Sequence, residues 1–367
     1  MKIGIITIHY GFNFGSALQA YALSNFINTQ LTGVNAKLIK YIPPRYSIYR
    51  RYFATNKYKN NIKKMAYLFI TMPFKLRNQW IFDRFLDKYI PMTKKINNIY
   101  DARNVTGRFD GFITGSDQVW NSDYNEGIDP MYYLEFASAT QKKFSYAASC
   151  GRDDISSEEW DIIDEYLKSF SGISLRERNT TKSFRDKGYH NAIQSLDPIF
   201  LLNKEEWKKI EKRPHTVISE YVLIYCLDSD EDELIRVAKE IANNRKLKIA
   251  IISYSHVWNR YDVDYIYRNQ SPNNFLWLIS HASYVVTNSF HGVAFSINLE
   301  KQFVAVKRKR YNNRLDSILE TMNLLNRYVI QQEYFKMKDD IDYDKINIRK
   351  NSLIKDAVGY LQLMLED

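Results

Sequence analysis

Short apolar runs alternate with helix-like segments along most of this chain, and the alternation limits the folds that it can adopt. Residues 3–8 have a strand pattern, residues 16–31 repeat apolar side chains at the helical period, and residues 36–41 again have a strand pattern. Strands that are each followed by a helix form parallel sheets covered by helices. The sequence therefore predicts an α/β protein made of Rossmann-like, doubly wound domains.

The length of the chain and one break in the pattern predict two such domains. A chain of 367 residues is too long for one comfortable core. Asp197-Pro198 interrupts the alternation, residues 203–214 have the composition of a connector, and a fully apolar strand pattern begins at Tyr221. We expect an N-terminal domain at 1–203, a C-terminal domain at 216–349, and an amphipathic helix at 350–367 that packs back on the N-terminal domain. The strand ends of the two domains should face one cleft, where ligands bind.

Cysteine usage and the N-terminus favour a soluble cytoplasmic protein. Cys150 and Cys226 lie far apart in the sequence, and no CxxC or Cys/His spacing typical of zinc sites occurs. We expect two buried thiols and no metal site. The chain starts with a strand pattern and not with an export signal, and its longest apolar run, residues 65–72, is too short to span a bilayer.

Positive charge is concentrated near the N-terminus. Residues 1–82 contain 12 Lys and Arg but no Asp or Glu, whereas the rest of the chain carries 40 basic and 42 acidic residues. Most of these basic residues lie between Lys37 and Arg77, interleaved with aromatic residues, within an insertion at about 43–89. Such a segment suits an anionic membrane surface, although nucleic acid binding and a merely solvated insertion are alternatives. The solvated insertion comes first among these alternatives and peripheral contact with the inner face of the plasma membrane through 37–77 comes second, and we expect no nucleic acid.

The most informative motif is a strand pattern at 284–287 that runs directly into Asn288-Ser289-Phe290-His291-Gly292 and then into a helical pattern. A helix that starts at the carboxyl end of a parallel strand points unpaired N–H groups at any anion bound there. An imidazole at that position is a candidate general acid or base. The alternative is that His291 caps the helix or fills a gap in the core.

Two loops in the first half also follow predicted strands. The first, at 9–16, contains Asn13 and Gly15, and it has neither a dinucleotide-binding fingerprint nor a P-loop. It predicts either ligand contact or simple turn chemistry. The second, at 115–121, brings Ser116, Asp117 and Gln118 together with Trp120. This composition is typical of a sugar-binding lip with the indole as stacking surface, but a helix N-cap is the simpler alternative.

Arginines follow two further strand patterns. Arg176 comes directly after an apolar strand, where its planar guanidinium could grip a carboxylate or phosphate. A salt bridge with the neighbours of Glu177 is the alternative. After the strand pattern at 303–306, we expect the charged run at 307–310 to lie on the surface and Arg314 to reach the cleft.

These motifs, taken in order, resemble the polysaccharide pyruvyl transferase family over nearly the whole chain. The resemblance rests on the first turn and on residues 115–121, 145–149, 174–177, 196–198 and 282–292. It implies a GT-B-like fold and transfer of pyruvate from phosphoenolpyruvate to a sugar of a surface or capsular polysaccharide precursor, as a cyclic ketal. Phosphoenolpyruvate is then a co-substrate, and no further cofactor is implied.

On this resemblance, the predicted site residues form three groups. The catalytic candidates are His291 and Asp117. The C-terminal domain is the donor side, and the donor-binding candidates are Arg176 of the N-terminal domain together with Ser289, His291, Gly292 and Arg314. The N-terminal domain binds the acceptor, for which they are Asn13, Gly15, Ser116, Gln118 and Trp120. Ser289 stands where the family more often has arginine, and Arg314 is the candidate replacement.

Two other functions compete with this one. The same architecture serves glycosyltransferases that use nucleotide sugars, although no obvious acidic residue for a ribose lies near His291. A non-catalytic assembly factor of a polysaccharide machine is the second alternative, since Ser289 and the basic segment both fit it. The acceptor sugar is not predicted, but a lipid-linked oligosaccharide would explain the basic segment.

Overall fold

A computed structural model describes residues 1–46, 61–152, 154–227, 231–253, 261–308, 312–330, 335–336 and 338–366. Part of the predicted basic insertion, residues 47–60, lies outside the described residues. Lys309 and Arg310 of the charged run lie outside them as well.

The N-terminal half contains a parallel sheet with the strand order β2-β1-β3-β4. These strands are β1 (Lys2–Ile6), β2 (Asn35–Leu38), β3 (Gly111–Thr114) and β4 (Lys142–Ser145). Two short parallel strands, β5 (Ser174–Leu175) and β6 (Ile193–Gln194), extend this arrangement through isolated bridges between Phe144 and Gly172 and between Ala148 and Leu175. The carboxyl ends of β1, β3 and β5 therefore lie along one edge.

Helices follow most of these strands, as the alternation predicts. They are α1 (Phe14–Gln30), α2 (Asn61–Tyr89), α3 (Ile99–Thr106), α4 (Ser122–Asn125), α5 (Ser157–Leu167), α6 (Arg178–Asp186) and α7 (Lys204–Lys208), with 3₁₀ helices at Pro44–Tyr46, Pro130–Tyr133 and Pro198–Leu201. α1 begins where it does because the side chain of Asn13 accepts hydrogen bonds from the N–H groups of Gly15 and Ser16. The predicted insertion includes one long helix, α2.

The C-terminal half contains a parallel sheet with the order β12-β11-β10-β7-β8-β9. Its strands are β7 (Tyr221–Tyr225), β8 (Lys248–Ser253), β9 (Tyr265–Arg268), β10 (Tyr284–Thr287), β11 (Phe303–Val306) and β12 (Tyr328–Val329). Its helices are α8 (Glu231–Arg245), α9 (Pro272–Ser280), α10 (Phe290–Asn298), α11 (Asn313–Thr321) and α12 (Tyr343–Glu366), with a 3₁₀ helix at Leu325–Arg327.

The predicted fold class, two doubly wound parallel sheets, is confirmed. The two sheets fall inside the predicted ranges 1–203 and 216–349, although the domain boundaries themselves stay a prediction. α12 starts before the predicted residue 350, and it reaches back to the N-terminal sheet, where the Tyr360 hydroxyl donates to the carbonyl of Ser145 at 2.9 Å.

Contacts between the halves hold the first turn of α1 in place. Phe14 stacks on Phe275 of α9, with ring centroids 4.8 Å apart, and on Phe82 of α2 at 5.4 Å. All three rings are buried. Stacked aromatic pairs of this kind bury large apolar areas in a defined geometry. The start of α1 is therefore anchored against the C-terminal half, which sets the shape of the space between them.

Candidate active site

A cleft of about 470 Å³ lies between the two sheets, at the carboxyl ends of their strands. The N-terminal half contributes loops after β1 and β3, and the C-terminal half contributes the segments after β10 and β11. The lining residues are Phe12, Asn13, Ser16, Asp117, Gln118, Asn121, Asp123, Tyr124, Leu227, Ser289, Phe290, His291, Arg308 and Arg314. Of the predicted site residues, Asn13, Asp117, Gln118, Ser289, His291 and Arg314 therefore meet in one cavity whose volume is typical of small-molecule sites.

His291 contacts the N-terminal half directly. It is the second residue of α10, and its ring packs directly on Gly15 in the first turn of α1. A Cβ atom at Gly15 would lie 2.0 Å from Cγ and 2.1 Å from Nδ1 of His291. Gly15 was predicted to contact a ligand, but it does not line the cleft. Its absence of a side chain makes room for the imidazole.

The start of α10 is built around two small residues. Ser289 caps the helix, because its side chain accepts from the N–H of Gly292 at 3.4 Å. A Cβ atom at Gly292 would lie 2.3 Å from Oγ1 of Thr287. Gly292 was expected to bind the donor, but it does not line the cleft, and its role is to let α10 pack closely on the end of β10. Ser289, unlike Gly292, does line the cleft.

Asp117 presents its carboxylate from the N-terminal side. Its backbone has φ of 71°, which is unusual for a residue other than glycine. One carboxylate oxygen accepts from the hydroxyl of Ser16 and the other accepts from the N–H of Gln118 at 2.9 Å. Strained backbone positions are common at functional sites, where several surrounding contacts hold them in place. The carboxyl group of Asp117 is therefore held in a fixed position in the wall.

A buried carboxylate, Asp197, joins the two halves beneath the cleft. Its Oδ2 accepts from Ser116 Oγ at 2.9 Å and from Arg176 Nη1 at 3.0 Å, and it lies 3.7 Å from Nε2 of His291. Burial alone would raise the pKa of Asp197, but contacts with His291 and Arg176 outweigh this effect and lower the pKa to about 2. Asp197 is thus ionised at neutral pH and orients both groups.

The structure brings Arg176 next to this network but not to the wall of the cleft. Its side chain is buried, Nε donates to Glu177 at 3.2 Å, and its guanidinium carbon lies 4.2 Å from the ring centroid of Phe290. Arg176 instead borders a very small cavity, which it shares with Arg314. The predicted direct grip on a ligand is therefore replaced by an ion pair with Glu177 and Asp197. Arg176 and His291 are linked through Asp197, which contacts both side chains.

Arg314 borders both the cleft and the small cavity behind it. Burial, and then the positive charge of Arg176, lower the pKa of Arg314 to about 10, so that it is still charged at neutral pH. Among the described residues it forms no ion pair, and its Nε is buried without a hydrogen-bond partner. His291 Nε2 and Arg176 Nη2 are also buried without one. A buried donor that lacks a partner costs free energy unless a ligand supplies an acceptor.

Two predicted acceptor residues lie in the interior. Trp120 is 3% exposed, its ring stacks between those of Tyr133 and Phe184 at 5.3 and 5.8 Å, and its Nε1 donates to the carbonyl of Tyr132. The prediction of a sugar-stacking indole was wrong, because both faces of the ring are covered. Ser116 is fully buried and contacts Asp197 instead of the cleft.

Sequence reasoning missed several residues that line or support the cleft. Ser16 and Asn121 belong to loops that were singled out, and their polar side chains next to Asp117 were the available signal. Arg308 lines the cleft, although the charged run was expected on the surface; its position just past β11 pointed to the strand-end edge. Asp197 appeared only as a break before Pro198. No local signal marks its contacts with residues far away in the chain.

The cleft contains polar groups for a small anionic or hydroxylated ligand. In the described part of the chain, no group of three or more His, Cys, Asp or Glu side chains could hold a metal ion. The expectation that no metal is needed stays a prediction. No helix among the described residues is long and apolar enough to cross a membrane.

Comparisons with known proteins agree with this architecture. The family model described as polysaccharide pyruvyl transferase matches residues 13–310. A structure of S. aureus MnaA with UDP superposes with a TM-score of 0.52 at 9% identity, covering 96% of this chain and 88% of that one. The UDP-GlcNAc 2-epimerase from Methanocaldococcus jannaschii, with UDP-GlcNAc and UDP, superposes with a TM-score of 0.50 at 12% identity, covering 96% and 93%. No curated protein gives a significant match to the sequence. At these identities the likeness shows the fold alone, and it confirms the GT-B-like class.

Proposed function

The chain belongs to the polysaccharide pyruvyl transferase family, and on this premise we propose that it moves pyruvate from phosphoenolpyruvate to a sugar of a polysaccharide precursor, as a cyclic ketal. The family indicates a transferase. The donor, the ketal chemistry and the acceptor are parts of the proposal.

One observation carries the choice of donor: the charged Arg314, without an ion-pair partner in the described chain, lies in the same cavity as His291. Its charge is disfavoured by Arg176. A ligand that carries a phosphate and a carboxylate would relieve that repulsion and supply acceptors for the unpartnered N–H groups. Arg308, which also borders the cleft, adds a second cation on the donor side. Phosphoenolpyruvate has this combination of groups.

The proposed reaction uses both sides of the cleft. A proton adds to the methylene carbon of phosphoenolpyruvate, and a sugar hydroxyl forms a bond to the neighbouring carbon. The bond from that carbon to the phosphate oxygen then breaks, and a second hydroxyl closes the ring. Of the two protons that the hydroxyls lose, one balances the new methyl group and the other leaves with phosphate. His291 is the proposed acid toward the donor, and Asp117 is the proposed acceptor of a hydroxyl proton.

The acceptor is proposed to bind on the N-terminal side of the cleft. Asn13, Gln118, Asn121 and Tyr124 line this side of the cavity, and Tyr124 is 37% exposed. Amides and phenols suit sugar hydroxyls, because each can donate and accept hydrogen bonds. Trp120, Ser116 and Gly15 are not part of this proposal, since none of them lines the cavity.

The test is phosphate release from phosphoenolpyruvate with galactose-, glucose- and mannosamine-type acceptors, followed by mass spectrometry of the product. Arg314→Gln should raise the KM for phosphoenolpyruvate about 10- to 100-fold, since a charged hydrogen bond contributes roughly 1.5–3 kcal/mol. Arg349→Gln, which removes an exposed arginine from α12, is the matched control and should leave KM unchanged.

Two outcomes would reject the proposal. A melting temperature that rises with nucleotide sugars but not with phosphoenolpyruvate would favour a glycosyltransferase. Failure to bind either donor would favour a non-catalytic assembly factor.

The proposed location is the cytoplasmic face of the membrane, with a lipid-linked acceptor. α2 carries several large apolar side chains that are exposed, namely Met65, Phe69, Ile70, Leu76 and Trp80. Exposed apolar and aromatic side chains in a strongly basic region suit a membrane interface. Sedimentation with anionic liposomes at low and high salt tests this part, and absence of binding at low salt would reject it.

A further inference from the structure

A second cavity, of about 500 Å³, lies between α2, the connector at 212–216 and the segment that joins β9 to α9. We call it the basic groove. Its charged lining consists of Arg77, Arg84, Lys88, Lys212, Arg213 and Arg268, with His215 beside them. None of its described lining residues is Asp or Glu. The basic groove shares no lining residue with the cleft described above.

Five of the six Lys and Arg side chains of the basic groove have no counter-charge among the described residues. Within the described residues, Arg77, Arg84, Lys88, Lys212 and Arg213 take part in no ion pair. The acidic residues of α2 make other contacts: Asp87 pairs with Lys40 at 3.2 Å, and Asp83 accepts from Gln79. Like charges that crowd one concave surface repel each other and attract anions.

The chemistry of the lining favours phosphate groups. Guanidinium groups match phosphate oxygens in a bidentate geometry, and ammonium groups bind them as point charges. Three arginines and two lysines from α2 and the connector converge here, and Arg268 at the end of β9 adds a cation from a third segment, in the C-terminal half. A diphosphate offers these cations more oxygen atoms and more negative charge than a single carboxylate does.

An exposed apolar stripe runs beside the basic groove. Met65, Phe69, Leu76 and Trp80 are 52–84% exposed, and their spacing brings them to one side of α2. Trp80 also lines the groove, and the guanidinium of Arg84 lies 5.1 Å from its ring centroid. A cavity that attracts phosphate and opens next to exposed apolar side chains fits an amphiphile with a phosphate head and a hydrocarbon chain.

We propose that the basic groove binds the diphosphate head of a lipid-linked saccharide, with the hydrocarbon chain along the apolar stripe of α2. The identification of this molecule as the acceptor rests on the proposed function. α2 lines the groove and also packs against the cleft wall, where Phe82 lies on Phe12 with ring centroids 6.1 Å apart. A saccharide attached to the diphosphate would extend from the groove past α2 toward the cleft.

Farnesyl diphosphate and inorganic pyrophosphate are the probes, and binding to the purified full chain is measured by titration calorimetry at fixed salt. Arg84→Gln/Lys88→Gln should weaken the binding of both probes about 30-fold, since each basic residue near an anionic head group contributes about fivefold. Trp80→Ala should weaken farnesyl diphosphate while leaving pyrophosphate unchanged. Lys182→Gln/Lys355→Gln removes two exposed lysines elsewhere and is the charge-matched control, with affinities within twofold of the wild type.

Liposomes of phosphatidylcholine with phosphatidylglycerol separate a diphosphate site from general attraction to a charged surface. The proposal is wrong if Arg84→Gln/Lys88→Gln loses liposome binding but keeps its affinity for farnesyl diphosphate. It is also wrong if Lys182→Gln/Lys355→Gln loses as much affinity for farnesyl diphosphate as Arg84→Gln/Lys88→Gln does. Melting curves show whether each variant is folded. If the wild type fails to bind phosphoenolpyruvate but farnesyl diphosphate binding depends on Arg84 and Lys88, the proposed function fails while the groove assignment stands.

Discussion

Replacing Gly15 with alanine tests the contact that joins the two halves at the candidate active site. The added Cβ would lie 2.0 Å from Cγ of His291. Because carbon atoms in contact are about 3.5 Å apart, the imidazole or the α1 turn would have to move by roughly 1.5 Å. Gly15 lies in the first turn of α1, where alanine is compatible with the helical backbone. The substitution should therefore act through the clash.

The effect on stability can be estimated from two opposing contributions. Overpacking of a tight contact costs about 1–3 kcal/mol, whereas alanine in place of glycine in a helix contributes up to about 1 kcal/mol. Gly15→Ala should then be neutral to destabilising by about 2 kcal/mol. In a His291→Ala background the clashes with Cγ and Nδ1 are absent and only the contact with Cβ, at 2.7 Å, remains, so the same substitution should cost less than in the wild type. The coupling free energy between the two sites should be about 1–3 kcal/mol.

Urea denaturation of the wild type, both single variants and the double variant measures this coupling directly. Gly359→Ala in α12 is the matched control, because a Cβ atom there would meet nothing within 4 Å, and it should show no coupling to His291. If the proposed function is right, Gly15→Ala should also slow pyruvyl transfer about 100-fold, since a displacement of this size at a reacting group has such an effect. A coupling below about 0.5 kcal/mol would refute the close packing of His291 on Gly15.

Two further predictions concern buried side chains of the N-terminal half. Trp120→Ala should destabilise the fold by about 3–5 kcal/mol in urea denaturation. Trp80→Ala, on the surface, should change the free energy of unfolding by no more than about 0.5 kcal/mol. A stable Trp120→Ala variant with a raised KM for the acceptor would restore the sugar-stacking role. Burial lowers the pKa of His9 from 6.5 to about 4, so His9 is protonated at a higher pH in the unfolded state than in the folded state. The free energy of unfolding should therefore be greatest above pH 6.5 and should fall by about 3 kcal/mol as the pH decreases to 4. His9→Gln, which retains a donor for the carbonyl of Thr7, should remove this decrease, and identical pH profiles of the two proteins would contradict it.

Most of the fold could be predicted from the sequence, because strand and helix periods are local properties. β10 and β11 begin and end at the expected residues. β9 and β12 were missed, since short strands at the edges of a sheet carry little periodic signal. The helices that follow β1 and β10 were also expected, because polar and small residues at strand ends mark helix starts.

The candidate site was predicted only in part. One cleft is lined by residues from the loops after β1, β3 and β10 and by Arg314, as predicted. They meet because the carboxyl ends of parallel strands lie at the same edge of a sheet. Trp120 and Arg176 were assigned to ligands, but the structure gives them protein partners. The composition of a loop does not reveal which of its side chains point inward.

The sequence by itself determined the succession of strands and helices, the two-sheet architecture, the family and the loops that end at the ligand edge. These follow from patterns within a few residues or from motifs in a fixed order. Only the tertiary structure decided that Asp197 joins Arg176 to His291, that Gly15 makes room for the imidazole, and that two segments far apart in sequence form the basic groove with α2. The physical reason is that ion pairs, close packing and shared cavities depend on distances between residues that folding brings together, and local patterns do not contain those distances.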